Sequence, residues 1–253
     1  LGFSSSTYSL YDPVVDPRGN LWYLNYQNVL VRYDGQIFNS VYINDSSGEP
    51  YDQLWNMVMT DEGTIYASTF EPEVVVINEG IVSYLDNMEM TWSGGTYTDK
   101  SEEVRLGPSG TLYNRGRALN SHEGNDEWTS IPWNFNNADF VRSFLIAPNE
   151  DIWVDYGITI TGGGGASVKI YDGDTWTDFQ HPFTDIMSLP RWDNNGNIWL
   201  ATDEGLCKKV GNSWECYNRS NAPLDDVHLR DFVIDEYNNI WIMQDDAGIL
   251  LFN

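Results

Sequence analysis

Residues 193–199 read Asp193-Asn194-Asn195-Gly196-Asn197-Ile198-Trp199, a polar turn followed by the start of an apolar strand. The same pattern, Asp-x-x-Gly-Asn-(Ile/Leu)-Trp, occurs at residues 16–22 and, with Asn in place of Gly, at residues 235–241. Weaker copies end in aromatic residues as well, so that the final aromatics of all copies lie at positions 22, 66, 113, 153, 199 and 241. Their spacings are 44, 47, 40, 46 and 42. A strand-rich repeat of that length predicts a β-propeller with one blade per copy.

Each copy predicts four short antiparallel strands. The Asp, Asn and Gly residues of the motif tolerate the backbone conformations of tight turns. In the fifth copy, strand 198–202 is followed by strand 205–210, the turn Gly211-Asn212 and strand 213–217. No stretch shows sustained helical spacing of apolar residues, so we expect almost no helix.

The last copy ends at Asn253 with the third strand of a blade, and spare strand material lies near residues 2–5. Pairing the two would complete the sheet and remove exposed edges. We predict an all-β, six-bladed β-propeller of four-stranded antiparallel blades, with the last blade closed by the N-terminal strand. Five blades with an irregular cap, or a seventh blade outside this chain, are the alternatives. The predicted single domain covers residues 1–253, with blades at roughly 11–43, 53–86, 101–131, 140–181, 186–218 and 228–253 plus 1–9.

The chain is strongly acidic. It has 13 Lys and Arg against 38 Asp and Glu, a formal net charge of −25. Nucleic acids and anionic membrane surfaces require a positive field, so we expect neither as a partner. No apolar run is long enough for membrane insertion, and no signal peptide is recognisable, although the first residue is not Met and a leader or upstream segment could have been removed. Calcium would suit scattered carboxylates, but no Asp-x-Asp-x-Asp-Gly loop occurs, so no metal or other cofactor is assigned.

The two cysteines fall on one predicted hairpin. Counting outward from the Gly211-Asn212 turn places Cys207 opposite Cys216. Facing residues on antiparallel strands lie within the Cα distance that a disulfide needs. We therefore predict a disulfide, with a pair of free thiols as the alternative. A disulfide favours an extracytoplasmic location: periplasmic, cell-surface or secreted.

The motif of the fifth copy resembles the two-component regulator propeller repeat. The resemblance rests on residues 197–206, Asn-Ile-Trp-Leu-Ala-Thr-Asp-Glu-Gly-Leu, and residues 211–217, Gly-Asn-Ser-Trp-Glu-Cys-Tyr, with Ala201 where that family usually has Gly. Residues 227–235 are similar to the strand that opens each such repeat. The resemblance implies an extracytoplasmic sensor domain, often one that responds to carbohydrates, or a surface protein without a kinase. This chain contains no kinase, receiver or DNA-binding segment.

Two kinds of position are candidates for ligand binding. Eleven residues before each final aromatic, the register predicts a ring near the start of each innermost strand, facing the central channel: Tyr11, Trp55, Glu102, Arg142, Ser188 and Arg230. Three long excursions, residues 87–103, 157–167 and 44–53, are expected on one loop-rich face, and the first contains Trp92 and Tyr97. Aromatic faces suit sugar rings and arginines suit carboxylates or sulfates. Alternatively, the ring residues pack between blades or pair with local acids, and the excursions are tolerated insertions.

These patterns predict a non-catalytic extracytoplasmic ligand-recognition propeller that binds a glycan or another extracellular ligand on its loop-rich face. The alternative is a structural or adhesive surface module that binds protein. Either could belong to a larger parent protein or a surface assembly. Catalysis is less favoured, because the histidines lack metal-ligand spacing and nucleophile motifs are absent. A lyase or hydrolase would need an acid/base pair such as His228 and Glu102 in the channel, and the active-site motif of streptogramin-lyase propellers is not found here.

Overall fold

A computed structural model of the chain describes residues 11–24, 29–45, 47–49, 54–69, 73–85, 89–92, 95–98, 101–116, 118–124, 127–132, 139–158, 167–222, 224, 229–244 and 248–252. Within these ranges a few strand residues are described by their backbone alone. They are Tyr11, Asp12, Glu89–Trp92, Gly95–Thr98, Asp139, Phe140, Gly157, Ile158, Ser167, Arg230 and Gln244.

The first residue of the repeated motif holds its turn together. In residues 193–199, Oδ1 of Asp193 accepts hydrogen bonds from the backbone N–H groups of Asn195 at 3.0 Å and Asn197 at 2.9 Å. Its Oδ2 accepts from Nδ2 of Asn197 at 2.7 Å and from the indole Nε1–H of Trp199 at 3.1 Å. Asp16 and Asp235 make the same set of contacts in their turns. One carboxylate therefore closes the turn and fixes the aromatic residue of the next strand.

The weaker copies form the same backbone turn without that carboxylate. Thr60, Gly107 and Ala147 occupy the position of the aspartate, and each accepts the closing backbone hydrogen bond, as Ala147 does from Glu150 at 2.9 Å. The fourth turn residue takes a positive φ in all copies, including Glu150 at 71° and Asn238 at 65°. The turn thus depends on backbone geometry, and the aspartate is an addition to it.

Two compact units divide the chain, residues 1–134 and residues 135–253. The first contains three four-stranded antiparallel sheets and one extra hairpin. Blade 1 is β1 (Tyr11–Val15), β2 (Leu21–Leu24), β3 (Leu30–Tyr33) and β4 (Phe38–Val41). Blade 2 is β5 (Leu54–Met59), β6 (Ile65–Thr69), β7 (Val74–Asn78) and β8 (Ile81–Leu85). The hairpin is β9 (Glu89–Trp92) and β10 (Gly95–Thr98), and blade 3 is β11 (Glu103–Leu106), β12 (Leu112–Arg115), β13 (Leu119–His122) and β14 (Trp128–Ser130).

The second unit contains three further antiparallel sheets. Blade 4 is β15 (Asp139–Ile146), β16 (Ile152–Ile158), β17 (Ser167–Tyr171) and β18 (Trp176–Asp178). Blade 5 is β19 (Arg191–Trp192), β20 (Ile198–Thr202), β21 (Gly205–Val210) and β22 (Ser213–Tyr217). Blade 6 has three strands in the described residues, β23 (Leu229–Ile234), β24 (Ile240–Gln244) and β25 (Gly248–Phe252).

These sheets confirm the predicted all-β, six-bladed β-propeller. The part of the chain that the structure describes contains no helix, and accordingly none that could cross a membrane. The segment predicted to close the last blade, residues 1–9, lies outside the described residues. The single domain over residues 1–253 stays a prediction, because the sheets of the two units do not test it.

Apolar side chains pack between consecutive blades of each unit. In the first unit, Leu24 and Leu30 of blade 1 pack with Met57 and Val75 of blade 2. In the second, one cluster joins blade 4 to blade 5 through Trp153, Val168 and Leu200, and another joins blade 5 to blade 6 through Trp199, Phe232 and Ile242. The repeat aromatics Trp153 and Trp199 therefore serve as packing between blades, whereas Trp241 of the last copy is 42% exposed.

Candidate functional site

The innermost strands of four blades carry a register shift. The shifts lie between Tyr11 and Val14, between Leu54 and Met57, between Val141 and Ser143, and between Leu229 and Asp231. Such β-bulges bend a strand and turn a side chain away from its regular direction, and they are common beside binding sites. Each one falls at or directly beside a residue that the register predicted for the channel, namely Tyr11, Trp55, Arg142 and Arg230.

In the first unit, two neighbouring side chains at the bulge of β5 differ strongly in their exposure to solvent. Trp55 is 48% exposed, whereas Asn56 is 7% exposed. The amide of Asn56 bonds to the backbone of β11 on both sides, since its Nδ2 donates to the Val104 carbonyl at 3.0 Å and its Oδ1 accepts from the Val104 N–H at 2.7 Å. Asn56 thus joins the inner strands of blades 2 and 3, and this joint holds the exposed Trp55 beside it.

Glu102 lies just before β11 and is held from several sides. Its N–H donates to the Arg115 carbonyl at 2.8 Å, and its carbonyl accepts from the Ser68 hydroxyl at 3.2 Å. Its carboxylate forms an ion pair with the Arg115 guanidinium at 2.8 Å, with the Glu102 side chain 39% exposed. Arg115 also contacts the nearly buried Glu103 at 3.0 Å. Glu102 is therefore placed at the start of its inner strand, as predicted, with its charge paired to a cation.

In the second unit, the bulge of β15 leaves Arg142 exposed. Next to it, Ser143 pairs with Asp155 of β16. Burial raises the pKa of the Asp155 carboxyl, and the positive charge of Arg142 opposes that rise. Among the described residues, the buried Oδ1 of Asp155 has no hydrogen-bond partner. The site therefore combines a guanidinium open to solvent with a desolvated carboxyl group, which sequence reasoning missed because Asp155 lies on the second strand.

Ser188 lies before β19, between an isolated bridge that joins Ile186 to Thr202 and the first strand residue, Arg191. The N–H of Met187 still donates to the Ala201 carbonyl at 2.9 Å, so the chain continues the inner edge of blade 5. The hydroxyl oxygen of Ser188 is buried and lacks a hydrogen-bond partner within the described part of the chain. Ser188 thus faces into packed surroundings and presents no hydroxyl to solvent.

The remaining predicted site residues are described only by their backbone. Tyr11 and Arg230 lie at inner-strand bulges. Trp92 and Tyr97 were expected in a loop excursion, but the structure forms a hairpin there, in which Trp92 pairs with Gly95 and Tyr97 with Met90. The signal was present in the sequence, because the apolar alternation of residues 89–98 surrounds the turn-forming Ser93-Gly94.

The predicted disulfide is confirmed. Cys207 of β21 faces Cys216 of β22, with a Cα–Cα distance of 4.1 Å and an S–S bond of 2.06 Å. The bond joins the two outer strands of blade 5, far along the sheet from the inner strand β19.

The described histidines are embedded in packing contacts. His122 is buried against Trp128 at 5.1 Å between ring centroids, and its Nδ1 accepts the Gly124 N–H at 3.2 Å. His181 lies between Phe179 and Phe183, with 6.0 Å between ring centroids on each side. His228, one member of the acid/base pair considered from the sequence, lies outside the described residues. Within the described residues, no three metal-ligating side chains cluster in a way that could hold an ion.

Comparisons with known proteins show the fold and no family. No protein-family model matches the chain, and no curated protein matches it in sequence. Solved structures do match along nearly its whole length. One is a catalytically inactive virginiamycin B lyase from Staphylococcus aureus with quinupristin, 9% identical, with a TM-score of 0.67 over 100% of this chain and 86% of the lyase. Another is YCF48 bound to D1 peptide, 14% identical, with a TM-score of 0.69 over 99% of this chain and 79% of that one.

A third similar structure is an extracellular domain described as part of a hybrid two-component system from B. thetaiotaomicron. It is 16% identical, with a TM-score of 0.57, and the match covers 96% of this chain but 40% of that domain. At such low identities a shared fold does not determine function, which depends on the residues of the site. A lyase, a peptide-binding protein and an extracellular domain thus share the propeller fold with this chain.

Proposed function

We propose that this chain is a non-catalytic, extracytoplasmic ligand-recognition propeller of the two-component regulator type. The observation that carries the proposal is the set of inner-strand bulges, because they coincide with the residues that vary between repeats. In the first unit the bulge exposes Trp55, and in the second it exposes Arg142. A repeat that keeps its turns but varies and distorts its inner strands has the character of a scaffold for a binding site.

The extracytoplasmic location is supported by the Cys207–Cys216 bond. Disulfides persist in oxidising compartments and are rare in the cytosol. The similarity to an extracellular domain is in agreement with this location. Since the chain spans 40% of that domain, membership in a larger sensor or surface assembly is part of the proposal.

The proposed ligand is an acidic glycan. The guanidinium of Arg142 is exposed, and arginine forms bidentate contacts with carboxylates and sulfates. The chain has 13 Lys and Arg residues against 38 Asp and Glu, so the guanidinium of Arg142 is one of its few groups that can pair with an anionic ligand. In the first unit, the exposed Trp55 is by itself suited to stack on a sugar ring.

Absence of catalysis is supported by the state of Glu102. A general acid or base must exchange a proton with its substrate. The carboxylate of Glu102 is instead paired with Arg115, which also contacts Glu103. The pair has the features of a structural ion pair.

The test is a binding screen with oligogalacturonates and sulfated oligosaccharides, measured by thermal shift and then by calorimetry. We expect one of the acidic ligands to bind and to raise the melting temperature. Arg142→Ala should weaken its binding affinity about tenfold or more, as the loss of a charged hydrogen bond implies. The control is Arg18→Ala, which removes the same charge from an exposed turn at the other end of a blade. Equal binding by wild type and Arg142→Ala would overturn the assignment of Arg142.

The second candidate is a module that binds protein. It is favoured by the exposure of Trp55, since exposed tryptophans are frequent anchors of protein interfaces. The similarity to a propeller bound to a peptide is in agreement with it. If no acidic glycan binds, while Trp55→Ala abolishes capture of an identified surface protein that Arg142→Ala leaves intact, this second candidate replaces the first.

A further inference from the structure

A groove of about 600 Å³ lies beside the outer hairpin of blade 5, at the opposite edge of the sheet from the inner strand. One wall is the segment that follows β18, and the other is the hairpin β21–β22. The lining residues are Gln180, His181, Pro182, Phe183, Glu204, Asn212, Ser213, Trp214 and Cys216. The volume falls within the roughly 300–1,000 Å³ typical of small-molecule sites.

The walls of this outer groove are fixed by packing. Phe183 is 7% exposed, and its ring meets that of Trp214 edge to face at 5.1 Å between centroids. Phe179, also buried, meets Trp214 at 6.2 Å. On the opposite wall, Cys216 is bonded to Cys207 across the hairpin. A groove held by aromatic contacts and a covalent bond is formed in advance, so a ligand would not have to order it.

The rim of the outer groove is polar, and the ammonium of Lys209, which pairs with Trp214, lies over the ring of Phe179 at 5.4 Å from its centroid, outside the lining. Gln180, Asn212 and Ser213 are exposed and offer both donors and acceptors, and Glu204 offers acceptors. None of the lining residues is Lys or Arg. An acidic ligand is therefore disfavoured, in contrast to the guanidinium at the bulge of β15. Neighbouring sugar hydroxyls, each a donor and an acceptor, match this mixed rim, while Trp214 and His181 provide apolar ring surface.

We propose that the outer groove binds a neutral oligosaccharide, independently of the inner-strand site. Its size favours this ligand over a protein, because a stable protein interface covers about 800 Å² on each partner and this groove is confined to one hairpin and one short segment. Gln180 and Glu204 would contact the sugar hydroxyls from opposite walls, and Trp214 would pack against the ring.

The test is calorimetric titration of the whole chain with cellohexaose, maltohexaose and mannohexaose. We expect saturable binding of one of them, weakened roughly fivefold by Glu204→Gln, which replaces a charged acceptor by a weaker neutral one, and by Gln180→Ala, which removes one hydrogen bond. Both side chains are exposed, so neither change should unfold the protein. The controls are Glu236→Gln and Gln36→Ala, identical changes at exposed turns elsewhere, which should bind as the wild type does.

Arg142→Ala separates this proposal from the inner-strand site, since it should leave binding of the neutral sugar unchanged. A neutral sugar whose binding is lost in Arg142→Ala would place it at the inner strands and overturn the outer groove. Failure of all three sugars to bind at millimolar concentration, or equal binding by wild type, Glu204→Gln and Gln180→Ala, would also overturn it.

Discussion

Blades 4 and 5 follow each other in the chain and share one apolar cluster, yet they complete the same repeat in different ways. In blade 5, Asp193 closes the turn and accepts the indole N–H of Trp199 at 3.1 Å. In blade 4, Ala147 takes the aspartate position, and the indole nitrogen of Trp153 is buried with no hydrogen-bond partner among the described residues. An unpaired buried donor costs about 1–3 kcal/mol.

The difference shows which parts of the repeat stabilise a blade and which parts are free to change. Blade 5 adds the disulfide to its braced turn. Blade 4 has, in the same position of its outer hairpin, an ion pair between Lys169 and Asp178 whose carboxylate is mostly exposed. Blade 4 also contains the desolvated Asp155 beside the exposed Arg142. Blade 4 thus contains two of the six buried side-chain polar atoms that have no hydrogen-bond partner among the described residues, Nε1 of Trp153 and Oδ1 of Asp155.

The largest expected effect on stability comes from removing the motif aspartate of blade 5, whose carboxylate braces the turn by accepting the turn amides and the indole N–H. Asp193→Ala deletes the acceptor of Trp199 and of the turn amides, so we expect a loss of about 3 kcal/mol in the free energy of unfolding. Urea denaturation followed by circular dichroism measures it. Asp174→Ala, the same change at an exposed turn of blade 4, should cost less than about 0.5 kcal/mol. Equal losses in the two variants would contradict a special role for the motif aspartate.

The disulfide should contribute somewhat less to the free energy of unfolding than the carboxylate of Asp193 does. Cys207 and Cys216 are separated by nine positions, and closing so short a loop stabilises by about 2 kcal/mol. We expect Cys207→Ala/Cys216→Ala to lower the urea midpoint accordingly. Lys169→Met, which removes the ion pair at the equivalent place in blade 4, should lower it by less than about 1 kcal/mol. A larger effect from Lys169→Met would reverse the ranking of the two hairpins.

Blade 4 can be given the brace that it lacks. Ala147→Asp with Asp151→Asn copies the Asp193 and Asn197 pair onto a turn that already has the same backbone bonds. We expect a gain of about 1 kcal/mol over Asp151→Asn alone, because the indole of Trp153 acquires an acceptor. Denaturation measures the gain, and a shifted indole resonance in a ¹H–¹⁵N spectrum identifies its source. A double variant less stable than Asp151→Asn would show that the interior of blade 4 does not admit the carboxylate.

The smallest expected effect is on the pH dependence of the free energy of unfolding, to which the motif aspartates contribute at acid pH. Hydrogen bonds from Asn239 and Trp241 outweigh the opposing effect of burial and lower the pKa of Asp235 to about 2, from its usual 3.8. Burial would raise the pKa of Asp16, but hydrogen bonds from Asn20 and Trp22 outweigh it and lower that pKa to about 2. A carboxylate with a lowered folded pKa stabilises above its unfolded pKa, and this stability is lost as the pH falls through the folded value.

We therefore expect the free energy of unfolding to fall between about pH 4 and about pH 2, and to fall less steeply in Asp235→Asn. Denaturation curves at several pH values test this. Asp151→Asn makes the same chemical change in a turn whose carboxylate accepts no indole N–H. An identical change of slope in both variants would count against the brace as its origin.

The fold was predictable because its signals are local. The Asp-x-x-Gly-Asn turn places the aromatic residue six positions after the aspartate, and the same spacing appears in the hydrogen bond from Trp199 to Asp193. The disulfide followed from counting residues outward from Gly211-Asn212, which works because strand pairing advances one residue at a time on each side of a turn.

The site was less accessible because bulges interrupt that counting. An inserted residue at Arg142 or Trp55 has no signature in the repeat, and its effect on side-chain direction appears only in three dimensions. The burial of the Asp155 carboxyl and the presence of the outer groove both depend on how neighbouring strands and segments pack in three dimensions. No spacing in the sequence reports such surfaces, whereas the missed hairpin at residues 89–98 did carry a readable alternation.

Every strand pairing in the described sheets joins strands that are consecutive in the chain. Each blade can therefore collapse from one contiguous stretch, without waiting for a distant segment to arrive, and sequence-local pairing is associated with fast folding. Sheets of this kind can form in succession as the chain leaves the ribosome. The slow step would then be the docking of finished sheets on one another, for which the aromatic residues of the repeat supply the contact surface.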